Sequence, residues 1–261
     1  MLKSLFTAAT GMRVQQTNVD VISNNLANVN TSGFKKSQAN FEDLIYVTEQ
    51  RPGFGTTGVG SSGGIQIGSG ARLVSTAKVF SQGVLESTQR PMDVAIMGNG
   101  FFQVSLPDGS FAFTRDGNLH LDESQNMVTS DGYKLSPAVS LSGGPYDSIT
   151  INTNGEVLGA QGNTNTSLGQ ITLTTFMNPA GLESMGNNLF RETNSSGTPT
   201  SGLTPGEDGV GKLQSNFLER SNVDVVNELV SLIIAQRAYE VNSKAIKTGD
   251  DMLQLANNLS N

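Results

Sequence analysis

The sequence contains no cysteine, no tryptophan and a single histidine. The absence of cysteine excludes disulfide bonds and thiolate metal sites. One histidine without cysteine also argues against a structural zinc site. His120 alternates with Leu119 and Leu121, which is typical of a β-strand, so we interpret it as an ordinary strand residue. We predict no metal site and no cofactor.

Basic residues and long apolar runs are also scarce. Sixteen Lys and Arg stand against twenty-three Asp and Glu, which gives a net charge of −7. This balance argues against nucleic acid as a partner, because phosphate contacts need a basic surface. No stretch approaches the roughly 18 apolar residues of a membrane span. The apolar run at the start, "MLKSLFTAATGMRVQQ", is also too short for a secretory signal. We therefore expect a chain that is not membrane-inserted and that carries no cleaved signal peptide.

Motifs for catalysis are missing as well. The segment "GFGTTG" at 53–58 matches a dinucleotide-binding pattern, but Arg51-Pro52 precede it and more Gly and Ser follow. That pattern needs a strand before it and a helix after it. Adjacent acidic residues, as at Asp122-Glu123, point apart on strands and helices and do not form catalytic pairs. We predict no catalytic residues and no enzymatic activity.

The N-terminal residues 1–30 are predicted to form a helix with few charges. Apolar residues recur there in steps of three and four, which is typical of an amphipathic helix. Gln16 and Ser23 are polar members of one row. The two apolar rows consist of Leu2, Leu5, Ala9, Met12, Val19 and Leu26, and of Ala8, Ile22 and Val29. Two rows predict a broad apolar face rather than one narrow seam.

The segment "SNNLANVNTSGF" at 23–34 is unusually rich in Asn for a helix. Asn disfavours helix interiors, because its side chain competes for backbone hydrogen bonds. Asn28 and Asn30 suit a helix end, and Gly33 suits the left-handed backbone just past it. Asn24 and Asn25 lie too far back for capping, so we predict that they form hydrogen bonds across to another helix.

The C-terminal residues 222–259 are predicted to form a second, longer helix. Asp224 and Glu228 suit its N-terminal dipole, and Asn222 or Ser221 can cap it. Two heptad rows run along it, one with Val241, Ala245, Met252, Leu255 and Leu259, the other with Val225, Leu229, Leu232, Tyr239, Ile246 and Leu253.

The middle of the chain alternates apolar and polar residues and is broken by turn signals. Gly98-Asn99-Gly100, Pro107-Asp108-Gly109-Ser110, Asp116-Gly117-Asn118 and Asp131-Gly132 are typical of β-hairpins. Before this region lies a Gly- and Ser-rich segment, "TEQRPGFGTTGVGSSGGIQIGSGAR", at 48–72. The predicted fold class is therefore α+β, an antiparallel β domain flanked by two terminal helices.

Three segments resemble the axial proteins of the bacterial flagellum, the family of rod, hook and hook-associated subunits. The segments "QQTNVDVISNNLANVNTSGFKKSQANFEDLIY" and "SNVDVVNELVSLIIAQRAYEVNSKAIKTGDDML" are similar to the N- and C-terminal signatures of this family. The segment "DVAIMGNGFFQVSLPDGSFAFTRDGNL" is similar to the β segment of its rod and hook members. Within the family, the chain length and the Gly-rich insertion at about 47–67 resemble the distal-rod branch.

The resemblance implies a domain organisation for the chain. Residues 1–33 and 216–261 would be the two halves of an inner helical domain, paired as an antiparallel coiled coil. Residues 34–72 would connect them through the Gly-rich distal-rod insertion, and residues 73–215 would form an outer β domain.

The resemblance also implies a function and partners. The chain would assemble with itself into a rigid hollow helical drive shaft that transmits motor torque and gives exported subunits a channel. Its other partners would be proximal-rod proteins below, hook protein above, the P- and L-ring proteins around it, and the flagellar export apparatus. It would lie in the periplasm-spanning rod of the basal body.

The apolar rows, the Asn cluster and the Gly-rich insertion together give the candidate functional residues. Those predicted at the subunit interface are Leu5, Met12, Gln16, Val19, Ile22, Asn24, Asn25, Leu26, Asn28, Leu229, Ile233, Tyr239, Val241, Ile246, Met252 and Leu255. Gly33 is predicted at the helix end. The glycines predicted in the rod-specific segment are Gly53, Gly55, Gly58, Gly63 and Gly64.

Other functions remain open at this point. The nearest alternative is a proximal-rod or hook subunit of the same family. A secreted β-domain enzyme acting on cell-wall glycan would need two convergent carboxylates, and the sequence offers no candidate pair. A monomeric adhesin with a helical stalk should carry more charge on its helices.

Overall fold

A computed structural model describes residues 2–50, 64–141, 144, 146–162, 164–207 and 209–259. Helix α1 spans Leu2–Ala27 and helix α2 spans Val225–Leu259, with antiparallel strands between them. This confirms the α+β fold class. Neither helix, within the described residues, carries an apolar stretch long enough to cross a membrane.

The chain divides into two compact units. Unit 1 contains residues 1–26, 37–77 and 224–261, and unit 2 contains residues 27–36 and 78–223. Residues 34–36 and 216–223 therefore group with the β-rich unit, and residues 37–77 group with the helices. The predicted segment boundaries differ at these places, because the composition of a linker does not show which unit its backbone joins.

Unit 1 combines the two helices with four strands. The strands are β1 (Ser37–Asp43), β2 (Tyr46–Gln50), β3 (Ile65–Gly68) and β4 (Ala71–Lys78). Strands β1 and β4 pair in one two-stranded sheet, and β2 and β3 pair antiparallel in another. Sheets of two strands bury little surface of their own.

Unit 2 contains the remaining strands. They are β5 (Leu85–Ser87), β6 (Val94–Met97), β7 (Phe102–Ser105), β8 (Phe111–Thr114), β9 (Leu119–Leu121), β10 (Met127–Thr129), β11 (Lys134–Leu135), β12 (Ser148–Ile151), β13 (Glu156–Gln161), β14 (Thr164–Gln170), β15 (Leu173–Thr175), β16 (Glu183–Gly186), β17 (Leu189–Arg191), β18 (Thr200–Leu203), β19 (Lys212–Ser215) and β20 (Phe217–Glu219), with a short 3₁₀ helix at Pro179–Gly181. A seven-stranded sheet has the order β16-β17-β8-β7-β11-β10-β9, and β12-β13-β14 form a second sheet. Three strand pairs complete the unit, β15 with β18, β19 with β6, and β20 with β5.

The hairpin turns of unit 2 occur where the turn signals predict them. Strands β7 and β8 pair antiparallel across Pro107–Ser110, where Gly109 has a φ of +83°. The Asp108 carboxylate accepts a hydrogen bond from the Ser110 backbone N–H at 2.9 Å, which closes this turn. Strands β10 and β11 pair across Gly132, whose φ is +84°.

The core of unit 2 is closed and apolar. It includes Phe102, Val104, Leu119 and Met127, all fully buried on the inner faces of the sheets. A second, aromatic cluster packs Phe80, Phe101, Phe113, Phe176 and Phe190 edge to face, with ring centroids 4.8–6.1 Å apart. Replacing one of the large core residues by Ala would cost about 2–5 kcal/mol.

The helix ends differ from the sequence prediction by a few residues. Helix α1 ends at Ala27, and turns follow at 28–30. Helix α2 begins at Val225, and Asp224 caps it by accepting a hydrogen bond from the Val226 N–H at 3.0 Å. The predicted caps, Ser221 and Asn222, lie outside the helix, because their side chains bond to backbone groups of unit 2.

Candidate assembly interface

The buried side of α1 follows one seven-residue pattern. Its buried or half-buried positions include Leu5, Ala8, Met12, Gln15, Val19, Ile22 and Leu26. This line combines members of both predicted rows, and it passes through Gln15 rather than Gln16, which is exposed. The line through Gln15 also contains Ile22, whereas the line through Gln16 contains Ser23. Burying isoleucine removes more apolar surface from water, which favours the observed line.

Helix α2 shows a matching pattern. Its buried or half-buried positions include Glu228, Leu232, Ala235, Asn242, Ile246, Gly249 and Leu253. Tyr239 occupies the intervening position and is 42% exposed. The steps alternate between four and three residues, as they do along a helix that faces one partner.

Side chains connect the two helices at both ends of unit 1. Asn25 Nδ2 lies 3.4 Å from Glu228 Oε2. A Cβ placed on Gly11 would lie 2.9 Å from Asn242 Nδ2, and one on Gly249 would lie 2.8 Å from Leu5 Cδ2. Positions later in α1 therefore meet positions earlier in α2, so the helices run in opposite directions.

Asn25 is the most fully bonded member of the Asn cluster. It is 2% exposed, its Oδ1 accepts from the Ser37 N–H at 2.8 Å, and its Nδ2 donates to the Ser37 carbonyl at 2.9 Å. With the contact to Glu228, this places the expected hydrogen bond to another helix at Asn25. Asn24 is exposed, and Asn28 closes the turn after α1 by accepting from Thr31 Oγ1 at 3.2 Å.

An apolar stripe covers the outer side of α2. We call it the outer stripe, and it consists of Val226, Val230, Ile233, Ile234, Val241, Met252 and Leu255, each between 49% and 68% exposed. The predicted interface residues Ile233, Val241, Met252 and Leu255 are part of it. Leu229, 42% exposed, lies beside the stripe, and Ile246 is half-buried. A contiguous apolar surface of this kind is typical of an interaction site.

The contact between α1 and α2 also leaves a gap. A cavity of about 450 Å³ is lined by Gln16, Val19, Gln236, Tyr239 and Glu240. Protein interiors have few voids larger than a water molecule. The two helices of one chain therefore do not fill this part of their own contact.

The β2–β3 hairpin exposes apolar side chains as well. Tyr46, Val47, Ile65 and Ile67 are 40–52% exposed. Of the glycines predicted in the rod-specific segment, Gly64 is described and exposed. Gly53, Gly55, Gly58 and Gly63 lie outside the described residues.

Unit 2 contains a buried ionic cluster, which we call the junction cluster, formed by Lys35, Arg115 and Glu219. The Lys35 and Glu219 side chains are fully buried, and Arg115 is 2% exposed. Lys35 Nζ lies 2.6 Å from Glu219 Oε1, and Arg115 Nη1 lies 3.4 Å from Glu219 Oε2. Burial lowers the pKa of both Lys35 and Arg115, while the Glu219 charge opposes that shift.

The junction cluster holds chain segments that are distant in sequence. The Gly33 N–H donates to the Glu219 carbonyl at 2.8 Å, and the Lys36 N–H donates to Asn222 Oδ1 at 2.8 Å. Asn222 Nδ2 in turn donates to the Val79 carbonyl at 2.8 Å. These bonds join the entry of the N-terminal segment into unit 2 to the exit of the C-terminal segment.

Gly33 has the predicted left-handed backbone but another role. Its φ is +69°, and a Cβ there would lie 2.7 Å from the Asp116 backbone nitrogen. Because α1 already ends at Ala27, Gly33 does not terminate the helix. It allows the close approach of two backbones beside the junction cluster.

Sequence reasoning missed the junction cluster. Lys35-Lys36 stands out as a basic pair, but no local pattern links Lys35 to Glu219 or Arg115. These residues come from separate parts of the chain, and only the packing of unit 2 brings them together.

Three regions of the chain match described protein families. Residues 5–35 match "Flagella basal body rod protein", residues 95–159 match "Flagellar hook protein FlgE/F/G D1 domain", and residues 214–259 match "Flagellar basal body rod FlgEFG protein C-terminal". These regions contain α1, much of unit 2 and α2.

Relatives match over nearly the whole chain. The flagellar basal-body rod protein FlgG of Borreliella burgdorferi is 49% identical, with 99% of each chain covered. The FlgG proteins of Caulobacter vibrioides and Bacillus subtilis are 44% and 41% identical, again with 99% of each chain covered. The chain belongs to the FlgG family of flagellar basal-body rod proteins. A FlgG-family chain is a structural component of the flagellum and not an enzyme.

Membership of the FlgG family gives the exposed surfaces of unit 1 a context. A rod protein must contact further copies or neighbouring rod components. The outer stripe of α2, the gap beside Val19 and the β2–β3 hairpin are the apolar surfaces that one copy leaves uncovered in the described part of unit 1.

Proposed function

We propose that this chain is the structural subunit of the flagellar distal rod, a rigid hollow shaft that transmits torque from the motor to the hook. The observation that carries the proposal is the outer stripe of α2. Seven apolar side chains at least 49% exposed would be costly on a finished monomer, whereas they suit a helix that packs against further helices.

The terminal helices are proposed to pair as an antiparallel coiled coil in the inner part of the tube. The matching seven-residue burial patterns of α1 and α2 support this pairing. Neighbouring copies would cover the outer stripe and fill the gap beside Val19 and Tyr239. Contacts of this head-to-tail type that do not close into a ring produce a helical tube.

The proposed location is the periplasm-spanning part of the basal body, with export through the flagellar apparatus and no cleaved signal. The proposed partners are further copies of this chain, proximal-rod proteins below, hook protein above, and the P- and L-ring proteins around the rod. Ordering long helices costs conformational entropy, so assembly should depend strongly on protein concentration and on an existing rod end.

The test of the function uses the outer stripe directly. Val241→Lys places a charge on the stripe, and because Val241 is 64% exposed the fold of one copy should not change. Ser231→Lys adds the same charge at an exposed position of α2 outside the stripe. We expect Val241→Lys to abolish rod assembly and swimming, with circular dichroism unchanged, while Ser231→Lys keeps more activity. Normal rods from Val241→Lys would refute the proposed interface.

The Gly-rich segment is proposed to lie between neighbouring subunits and to stiffen the rod. The apolar surface of the β2–β3 hairpin, which flanks this segment, supports a packed location. Deleting residues 50–64 should therefore increase bending of isolated rods, measured by electron microscopy, without preventing assembly. A deletion rod as straight as the parent rod would contradict this role.

A further inference from the structure

The aromatic cluster of unit 2 opens into a pocket of about 320 Å³. Its walls include the rings of Phe80, Phe101 and Phe176, and Arg115 forms part of its lining. Met177, which is 95% exposed, stands at its rim. We call this the Arg115 pocket. It is not one of the uncovered surfaces of unit 1, and the rod function described above does not use it.

The guanidinium of Arg115 is incompletely satisfied. Nη2 donates to the Gly98 carbonyl at 2.8 Å, and Nη1 has a long contact of 3.4 Å to Glu219 Oε2. Nε is buried, and no acceptor among the described residues lies within hydrogen-bond distance of it. Because nearly all buried polar groups in folded proteins have a partner, this donor indicates a missing acceptor.

The charge of the junction cluster points the same way. Two buried cations, Lys35 and Arg115, share the single carboxylate of Glu219. Glu219 Oε1 is already engaged by Lys35 at 2.6 Å and by the Gly83 N–H at 2.8 Å. Arg115 is therefore the less completely neutralised cation, and it is the one that lines the pocket. An anion in the pocket would interact strongly with it, because charges attract more in a poorly solvated site.

We propose that the Arg115 pocket binds a carboxylate carried on an apolar group the size of an amino-acid side chain. The volume is equivalent to about ten water molecules, which suits such a group. The phenylalanine rings would contact the apolar part, and the Arg115 guanidinium would face the carboxylate. A neutral compound of the same shape would gain the ring contacts without the ionic contact, and a cation would be repelled.

The test compares benzoate with benzamide as probes on the full-length protein. Binding is followed by NMR through the Met177 methyl resonance. We expect saturable benzoate binding with a Kd of about 1–10 mM, as for a small fragment, and benzamide binding weaker by about tenfold. Equal binding of the two probes, or no saturable shift with benzoate, would overturn the proposal.

Matched variants locate the site. Met177→Glu places a carboxylate at the pocket rim and should abolish benzoate binding, here measured by calorimetry. Met185→Glu makes the same change at a methionine that is 44% exposed and does not line the pocket, so binding should persist. Lys35→Met removes the excess positive charge while leaving the pocket walls intact, and it should weaken benzoate binding. Unchanged binding in both Met177→Glu and Lys35→Met would overturn the assignment.

The carboxylate could belong to a free organic acid or to an acidic residue on a second copy of this chain. Sedimentation velocity of the wild-type protein with and without benzoate separates these sources. A rise in the concentration needed for self-association identifies a second copy as the source, because benzoate then competes with it. Self-association that is insensitive to saturating benzoate identifies a free acid. Both results support the pocket and differ only in its natural ligand.

Discussion

At the scale of single residues, the junction cluster shows how charge balance rather than contact number decides the effect of a substitution. Glu219 is the common partner of two buried cations, so its charge cannot be removed without leaving both uncompensated. Lys35 is different. Without it, Arg115 and Glu219 would still form a neutral pair, and the Gly83 N–H would still bond to Glu219.

We therefore predict that Glu219→Gln destabilises unit 2 more than Lys35→Met does. Removing one partner of a buried ion pair costs about 3–5 kcal/mol, and Glu219→Gln should reach at least that range. Lys35→Met should cost less, because the remaining pair is neutral and the methionine keeps most of the buried volume. Urea unfolding of both variants measures the difference. A larger loss in Lys35→Met would show that the cluster charge is not the controlling quantity.

Asp116 offers a residue-scale test of pH dependence. Its pKa is raised above the ordinary 3.8, first by burial and then by the nearby charges of Asp131 and Asp93. The folded state therefore holds the Asp116 proton more tightly than the unfolded state does. Its contribution to stability is present below pH 3.8 and is lost as the pH rises through the folded pKa.

Asp116→Asn removes this charge and keeps an oxygen that can accept from the Asn118 N–H, now at 3.1 Å. We expect a higher urea midpoint than the parent at pH 7.5, with a gain that shrinks towards pH 4. Asp122→Asn is the control, because exposed Asp122 also accepts a backbone N–H, that of Glu123. A pH-independent gain at Asp116 would contradict the burial argument.

At the scale of elements, α1 and α2 are each amphipathic on two sides. Their inner sides face each other, and the outer stripe of α2 faces away. A helix with a single apolar side can finish its packing within one chain, whereas a helix with two apolar sides requires another partner. Asn25 anchors the inner contact, because it bonds to Ser37 at the start of β1 and to Glu228 on α2.

Asn25→Ala should therefore loosen the C-terminal end of α1. The loss of its buried hydrogen bonds should cost about 1–3 kcal/mol and raise hydrogen exchange around residues 20–28. Asn24→Ala changes the same residue type at an exposed neighbouring position and should have a smaller effect. Equal effects of the two substitutions would show that the Ser37 and Glu228 contacts do not hold the helix.

At the scale of the whole molecule, the two units differ in how completely they bury apolar side chains. Unit 2 has a closed core with many fully buried residues. Unit 1 has two-stranded sheets, a gap beside Val19 and the outer stripe, so little of its apolar surface is protected in one copy. Local stability follows the number of such buried contacts.

Hydrogen exchange on dilute purified protein tests this difference. We expect peptides from residues 1–30 and 222–261 to exchange quickly, while peptides from 75–215 are protected. The same terminal peptides should become protected in assembled rods. Termini as protected as the β core in a monomer would show a finished helical domain and would contradict coupled folding and assembly.

The sequence by itself determined the elements whose signals are local. The steps of three and four in residues 1–30 and 222–259 predict helices, and both are present with ends shifted by a few residues. Turn signals such as Pro107–Ser110 predict hairpins, and the strands pair across them. Local backbone preferences and short apolar periods are enough for such predictions.

Tertiary structure alone decided which residues meet. Two lines of residues fit the α1 periodicity, and packing against α2 chose the line through Gln15 and Ile22. Packing also moved Gly33 from a helix end to a close contact with Asp116, and it brought Lys35, Arg115 and Glu219 together. Such contacts join distant parts of the chain, and their energies depend on burial, which no local pattern contains.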